Sequence, residues 1–251
     1  MRIAPSPTPD SPAPWASGVA PLDAALHGGM ARGCVHEVYA ADAADVAAAT
    51  GFALGVATGF CAPAGGLLWL RTRRAVRGAG VLQAPGWAEM GGMPGPALVG
   101  VVGDDLALLR AAVDGLRCAA LSAVVVESWG AMKALDLTAS RRLVLAAERS
   151  GVPLLLLRSD ASPVPSAART RWQVAAATSA GLEARAPGAP TFDVTLLRQR
   201  SGPCGQSWRV EWDRDQRMFR EAPLSGAVVS VPADRPAAQP PVPLFPQRHA
   251  A

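Results

Sequence analysis

Residues 33–40, GCVHEVYA, and residues 46–60, VAAATGFALGVATGF, are the stretch whose reading decides the fold. The first is short, β-branched in part and bounded by Gly33, which predicts a strand; the second carries no charge over four helical turns, which predicts a buried helix. A turn built to cradle phosphate between such a strand and helix carries glycines, a lysine and a hydroxyl. Here the turn reads Ala40-Ala41-Asp42-Ala43-Ala44-Asp45-Val46-Ala47, with neither glycine nor lysine and with two carboxylates. Backbone N–H groups at a helix start attract anions, but Asp42 and Asp45 would cap that terminus themselves and repel phosphate.

Working outward, Leu67–Leu70, Ala97–Val102, Ala123–Val126 and Pro153–Leu157 are apolar runs without polar alternation, as strands covered on both faces require. Asp104–Cys118 and Thr138–Ser150 lie between them with apolar residues at helical spacing, the first capped by Asp104 or Asp105 and the second ended by Gly151. Strand, helix, strand, helix, strand is the order of an α/β fold with a mostly parallel sheet flanked by helices. Arg171–Ala177, Phe192–Arg198 and Ser207–Trp212 alternate more, which predicts antiparallel strands added at the C-terminal edge.

The 251 residues divide by composition into a proline-rich segment 1–14, a core 15–221 and a proline-rich tail 222–251, both ends expected to be disordered. Lys133 is the only lysine, so a formal charge of +4 rests on arginine and is compatible with nucleic acid without requiring it. Cys34, Cys61, Cys118 and Cys204 show no ligand spacing, the first and third sitting among apolar residues, which suits reduced thiols in the cytoplasm and neither a disulfide nor a metal site. Val46–Leu70 is free of charge, yet Pro63 and Gly65-Gly66 interrupt it, so buried helix, turn and strand are expected and no membrane span.

Ser17-Gly18, Leu22-Asp23, Leu26, Gly28-Gly29, Gly33 and Glu37-Val38-Tyr39 resemble the opening of the core of RecA-family recombinases. Val124-Val125-Val126-Glu127-Ser128 is similar to the strand that ends in the acid orienting Mg²⁺ in that family, with glutamate in place of aspartate. The resemblance also implies a water-activating glutamate just past Leu70, where this chain has Arg71-Thr72-Arg73-Arg74. Arginine accepts no proton at neutral pH, so three catalytic supports are altered or gone: the phosphate loop around Asp42, Asp45 and Val46, the acid at Glu127 and the general base. No catalytic residue and no cofactor are expected.

Leu135–Leu143 and Ala146–Pro153, taken with that opening and the lost loop, resemble the ImuA family over residues 17–213, including Arg171-Trp172 and Arg209–Asp213. The resemblance implies a RecA-like protein without ATPase activity, acting in damage-induced translesion DNA synthesis. Its implied partners are an ImuB-type polymerase relative and an error-prone C-family polymerase, with RecA and single-stranded DNA as further contacts. Arg141 and Arg142 would form a basic helix edge, although the pair also suits a solvated helix face. Arg158, Arg169 and Arg171 could meet phosphates and Trp172 could stack, in a loop whose prolines equally suit a plain connection. In the tail, the apolar island Val242, Leu244 and Phe245 suits docking to ImuB or to the body. A SulA-like division inhibitor and a single-stranded DNA-binding module are the alternatives.

Overall fold

The strand of the decisive stretch, β1 (Val35–Ala40), lies deep in a nine-stranded sheet. The computed structural model describes residues 13–62, 64–92, 95–181 and 188–222. Around β1 the chain forms α1 (Ala20–Ala25), α2 (Val46–Phe60), β2 (Gly66–Thr72), α3 (Arg73–Ala79), α4 (Ala84–Glu89) and β3 (Ala97–Val102). It continues as α5 (Asp105–Leu116), β4 (Leu121–Trp129), α6 (Leu137–Ser150), β5 (Leu154–Ser159), β6 (Thr170–Ala176), β7 (Thr191–Gln199), β8 (Ser207–Asp213) and β9 (Met218–Glu221). The sheet order is β3-β2-β4-β5-β1-β6-β7-β8-β9. Pairs from β3 to β6 are parallel and pairs from β6 to β9 antiparallel; the antiparallel edge is where the patterning places it, except that β6, expected among the antiparallel strands, runs parallel to β1 and turns antiparallel only toward β7.

Helices cover both faces of the parallel part, so alternate residues of each inner strand enter different cores. On one face α2 buries Phe52, Val56 and Phe60 against Val38, Val125, Leu155, Leu157 and Trp172. On the other, α5 and α6 bury Leu108, Leu116, Leu143 and Ala147 against Val124, Val126, Leu154 and Leu156. This two-sided burial is why the runs lack polar alternation.

The expected ends at Asp104 and Gly151 are present, and Asp136, two residues before the expected start at Thr138, caps α6. Asp104 Oδ1 accepts from Ala107 N–H at 2.8 Å, Asp136 Oδ1 accepts from Ala139 N–H at 2.6 Å, and Gly151 closes α6 at φ 75°. Gly29 at φ 121° is required by close approach, because a Cβ there would stand 2.2 Å from the Trp15 carbonyl oxygen.

Two expectations are corrected. The strand β3 is not covered on both faces: it is the edge of the sheet, and Leu98, Val99 and Val101 are 66%, 42% and 53% exposed. Cys118 is exposed, not packed among apolar side chains, because α5 has already ended at Leu116. The short β9 has no strand-length apolar run, yet it seats Phe219 with ring centroids 4.9 Å from Trp212 and 5.2 Å from Phe52. The proposed docking residues Val242, Leu244 and Phe245 lie outside the described residues.

Candidate functional site at the carboxyl ends of the parallel strands

In an open α/β sheet, ligands are met outside the carboxyl ends of the parallel strands, where loops leave the sheet. Glu127 near the end of β4 is buried there, and its register neighbour on β2 is Arg71. Arg71 Nη2–H donates to Glu127 Oε1 at 2.6 Å, Trp69 Nε1–H donates to Oε2 at 2.8 Å, and Arg71 Nη1–H donates to Gly80 O at 2.7 Å. Both carboxylate oxygens are thus engaged by donors fixed to β2. The guanidinium supplies the positive charge that a buried carboxylate needs, from the position where the resemblance places a general base.

At the start of α2 the expected capping does not form. Asp45 holds the N-cap position and its carbonyl accepts from Ala49 N–H, but its side chain does not cap the helix; Oδ1 accepts instead from Ala176 N–H at 2.7 Å, tying the turn to the end of β6. Asp42 Oδ1 accepts from Ala44 N–H at 2.7 Å, a local turn. Asp45 reaches sideways because β6 lies beside β1 and its last N–H is within range. Val46 begins the helix, buried.

The expected DNA-facing arginines separate into buried and exposed groups. Arg158 belongs to β5, not to the loop after it, and is 2% exposed; its Nη2–H donates to Gly130 O at 3.3 Å and its guanidinium stands 5.8 Å from the Tyr39 ring centroid. Arg171 lies in β6 opposite Glu37 of β1, with Nε–H donating to Glu37 Oε2 at 2.6 Å and Nη2–H to Ser166 Oγ at 3.1 Å. Trp172 is fully buried beside Phe52, so it offers no stacking surface; its Nε1–H donates to Thr170 Oγ1 at 2.9 Å. These placements correct the surface role expected of Arg158, Arg171 and Trp172: β5 runs on through Arg158, and β6 lies inside the sheet between β1 and β7, so Arg171 meets Glu37 and Trp172 enters the core under α2. Arg169, Arg141 and Arg142 are exposed.

Three participants were not singled out as site residues: Glu37, Tyr39 and His36. The signal for Glu37 was a carboxylate inside a buried strand, which demands a cation, and Arg171 is the matching cation in the neighbouring strand. Burial, reinforced by the Glu37 charge, pushes the Tyr39 phenol up from its ordinary value, so it stays neutral. His36 is fully buried and held down at about 4 by desolvation. A chain of bonds fixes its neutral form: Thr170 Oγ1–H donates to Nδ1 at 2.7 Å while Nε2–H donates to Ala31 O at 2.8 Å.

A six-strand parallel sheet with its inner strands covered on both faces and extended by an antiparallel edge, with its acid-bearing strand β4 beside β2, defines a RecA-like α/β core. No family model matches the chain, and no curated protein matches it. Among solved structures it is similar to the crystal structure of the RadB recombinase, with a TM-score of 0.53 and 14% identity over 83% of this chain and 100% of that one. That likeness is one of fold.

Proposed function

We propose that this protein is a non-catalytic RecA-like adaptor of mutagenic translesion DNA synthesis, of the kind the ImuA family represents, working in the cytoplasm. The observation that carries the reading is the occupation of Glu127 by Arg71 and Trp69. An acid that is to orient a metal ion must keep an oxygen available, and here both are spent on the protein's own donors. Asp42 and Asp45 add negative charge where a nucleotide would bring its phosphates. The reading assigns no catalytic residue.

The exposed apolar edge β3 supports recruitment of a partner. A charge-free edge strand with open backbone groups is an aggregation hazard unless something covers it. An ImuB-type polymerase relative is the partner this reading favours, with the error-prone C-family polymerase joining through it and RecA or single-stranded DNA meeting the exposed Arg141 and Arg169.

Two measurements test the reading. Calorimetry with ATP and Mg²⁺ is expected to give no binding heat, and a micromolar affinity would overturn the non-catalytic assignment. Co-expression with an ImuB-type protein is expected to give a co-purifying complex; free passage of both proteins would overturn the adaptor role.

A further inference from the structure

On the face opposite α2, the helices α5 and α6 pack against the sheet and leave a groove of about 450 Å³ between their outer sides. Its floor is apolar: Val113 and Leu116 come from α5, and Leu145, 51% exposed, comes from α6. Its walls are basic, with Arg117 just past the end of α5 and Arg142 and Arg149 on α6. Arg142, Leu145 and Arg149 follow the i, i+3, i+7 spacing of one helix face. The two arginines are therefore about 10 Å apart along the axis, two turns, with a leucine between them.

The charge is not spent within the chain. Arg117 pairs with Asp114 at 3.2 Å, both side chains 73% exposed, which is a weak contact in water. Arg142 and Arg149 form no ion pair or side-chain hydrogen bond among the described residues. An apolar trough flanked by unspent guanidiniums is complementary to an acidic amphipathic helix, whose apolar stripe fills the trough while carboxylates one and two turns apart meet the arginines.

We propose that the α5–α6 groove is the docking site for an acidic amphipathic helix of a partner protein. A nucleic-acid backbone matches the arginines but leaves Val113 and Leu145 facing water, so it uses only part of the surface. The chain's own residues 223–251 lack the charge, with Asp234 alone against Arg235 and Arg248. The groove is on a different element from the β3 edge, and the proposal holds whichever assembly the protein serves.

The probe is a displayed library of short helix-forming peptides selected against the full chain. The expected winners carry Asp or Glu on either side of Leu, Ile, Met or Phe at helical spacing. A synthetic winner loses affinity by about tenfold or more for the Arg142→Glu/Arg149→Glu variant and for Leu145→Asp, and weakens with salt. A peptide with its acids exchanged for arginine regains binding to the double-Glu variant. All three positions are solvent-facing, and matched melting curves identify any variant that fails to fold. Winners without acidic enrichment, binding indifferent to these substitutions, or absence of the charge-swap rescue each overturn the proposal. So does binding of labelled oligo(dT) that is lost in the double-Glu variant while the peptide binds unchanged, which would assign the arginines to phosphate.

Discussion

Arg71 and Glu127 face each other across neighbouring parallel strands, 2.6 Å apart, with side chains 2% and 1% exposed. A buried ion pair of this kind is a poor source of net stability compared with apolar residues of the same volume, but breaking it strands a charge in low dielectric. Here Trp69 adds a second donor, so that each Glu127 oxygen is hydrogen-bonded within the protein.

The pair predicts asymmetry in a double-mutant cycle. Arg71→Met or Glu127→Leu alone is expected to cost about 3–5 kcal/mol, whereas the two together are expected to stay within about 2 kcal/mol of the parent. Urea unfolding of the four proteins measures this, and additive losses would contradict it.

Stability is expected to fall with acidification through His36. Its pKa is about 4 in the fold against an ordinary 6.5, so between these values the unfolded chain binds a proton that the folded chain refuses. The contribution is complete above about pH 6.5, is lost as the pH falls toward 4, and amounts to roughly 3 kcal/mol. His36→Asn should flatten the urea midpoint over that window; an equally steep fall in the variant would place the effect elsewhere.

Trp172→Ala is expected to cost about 3–5 kcal/mol, the range for emptying an aromatic core site. Acrylamide should quench Trp172 fluorescence poorly in the parent. A loss below about 0.5 kcal/mol would place Trp172 on the surface.

Asp45→Ala removes the link from the α2 turn to Ala176 and is expected to cost about 1 kcal/mol, while Asp42→Ala, losing only a local turn bond, should cost less. Hydrogen exchange at the Ala176 amide provides the direct readout, with faster exchange in Asp45→Ala alone.

On the edge strand, Val101→Lys is expected to change stability by about 0.5 kcal/mol or less, because the position is exposed, while abolishing the proposed co-purification with an ImuB-type partner. Retained complex formation would remove β3 from the partner surface.

Much of the architecture was legible because local physics specifies it. The buried helix at 46–60 was legible from its charge-free run and the Pro63 and Gly65-Gly66 that follow, the start of α5 from Asp104 and the end of α6 from Gly151, and the change from continuous to alternating patterning marked the C-terminal strands, although β6, on the alternating side, pairs parallel with β1. The site was legible only in outline. Asp42, Asp45 and Glu127 were visible as departures from a nucleotide-binding pattern, but what each carboxylate bonds to was not.

Sequence alone determined most of the strands and helices, although not α3, α4 or β9, that the inner strands are covered by helices, and that residues 40–47 lack the glycines and lysine of a phosphate-cradling turn. Periodicity and caps act over a few residues, so they are written along the chain. Tertiary structure decided that Arg71 meets Glu127 across 56 residues, that Asp45 meets Ala176 across 131, that Trp172 turns inward, and that β3 is left at the edge. Those outcomes depend on strand order and register, which bring distant residues side by side through packing that no local pattern encodes.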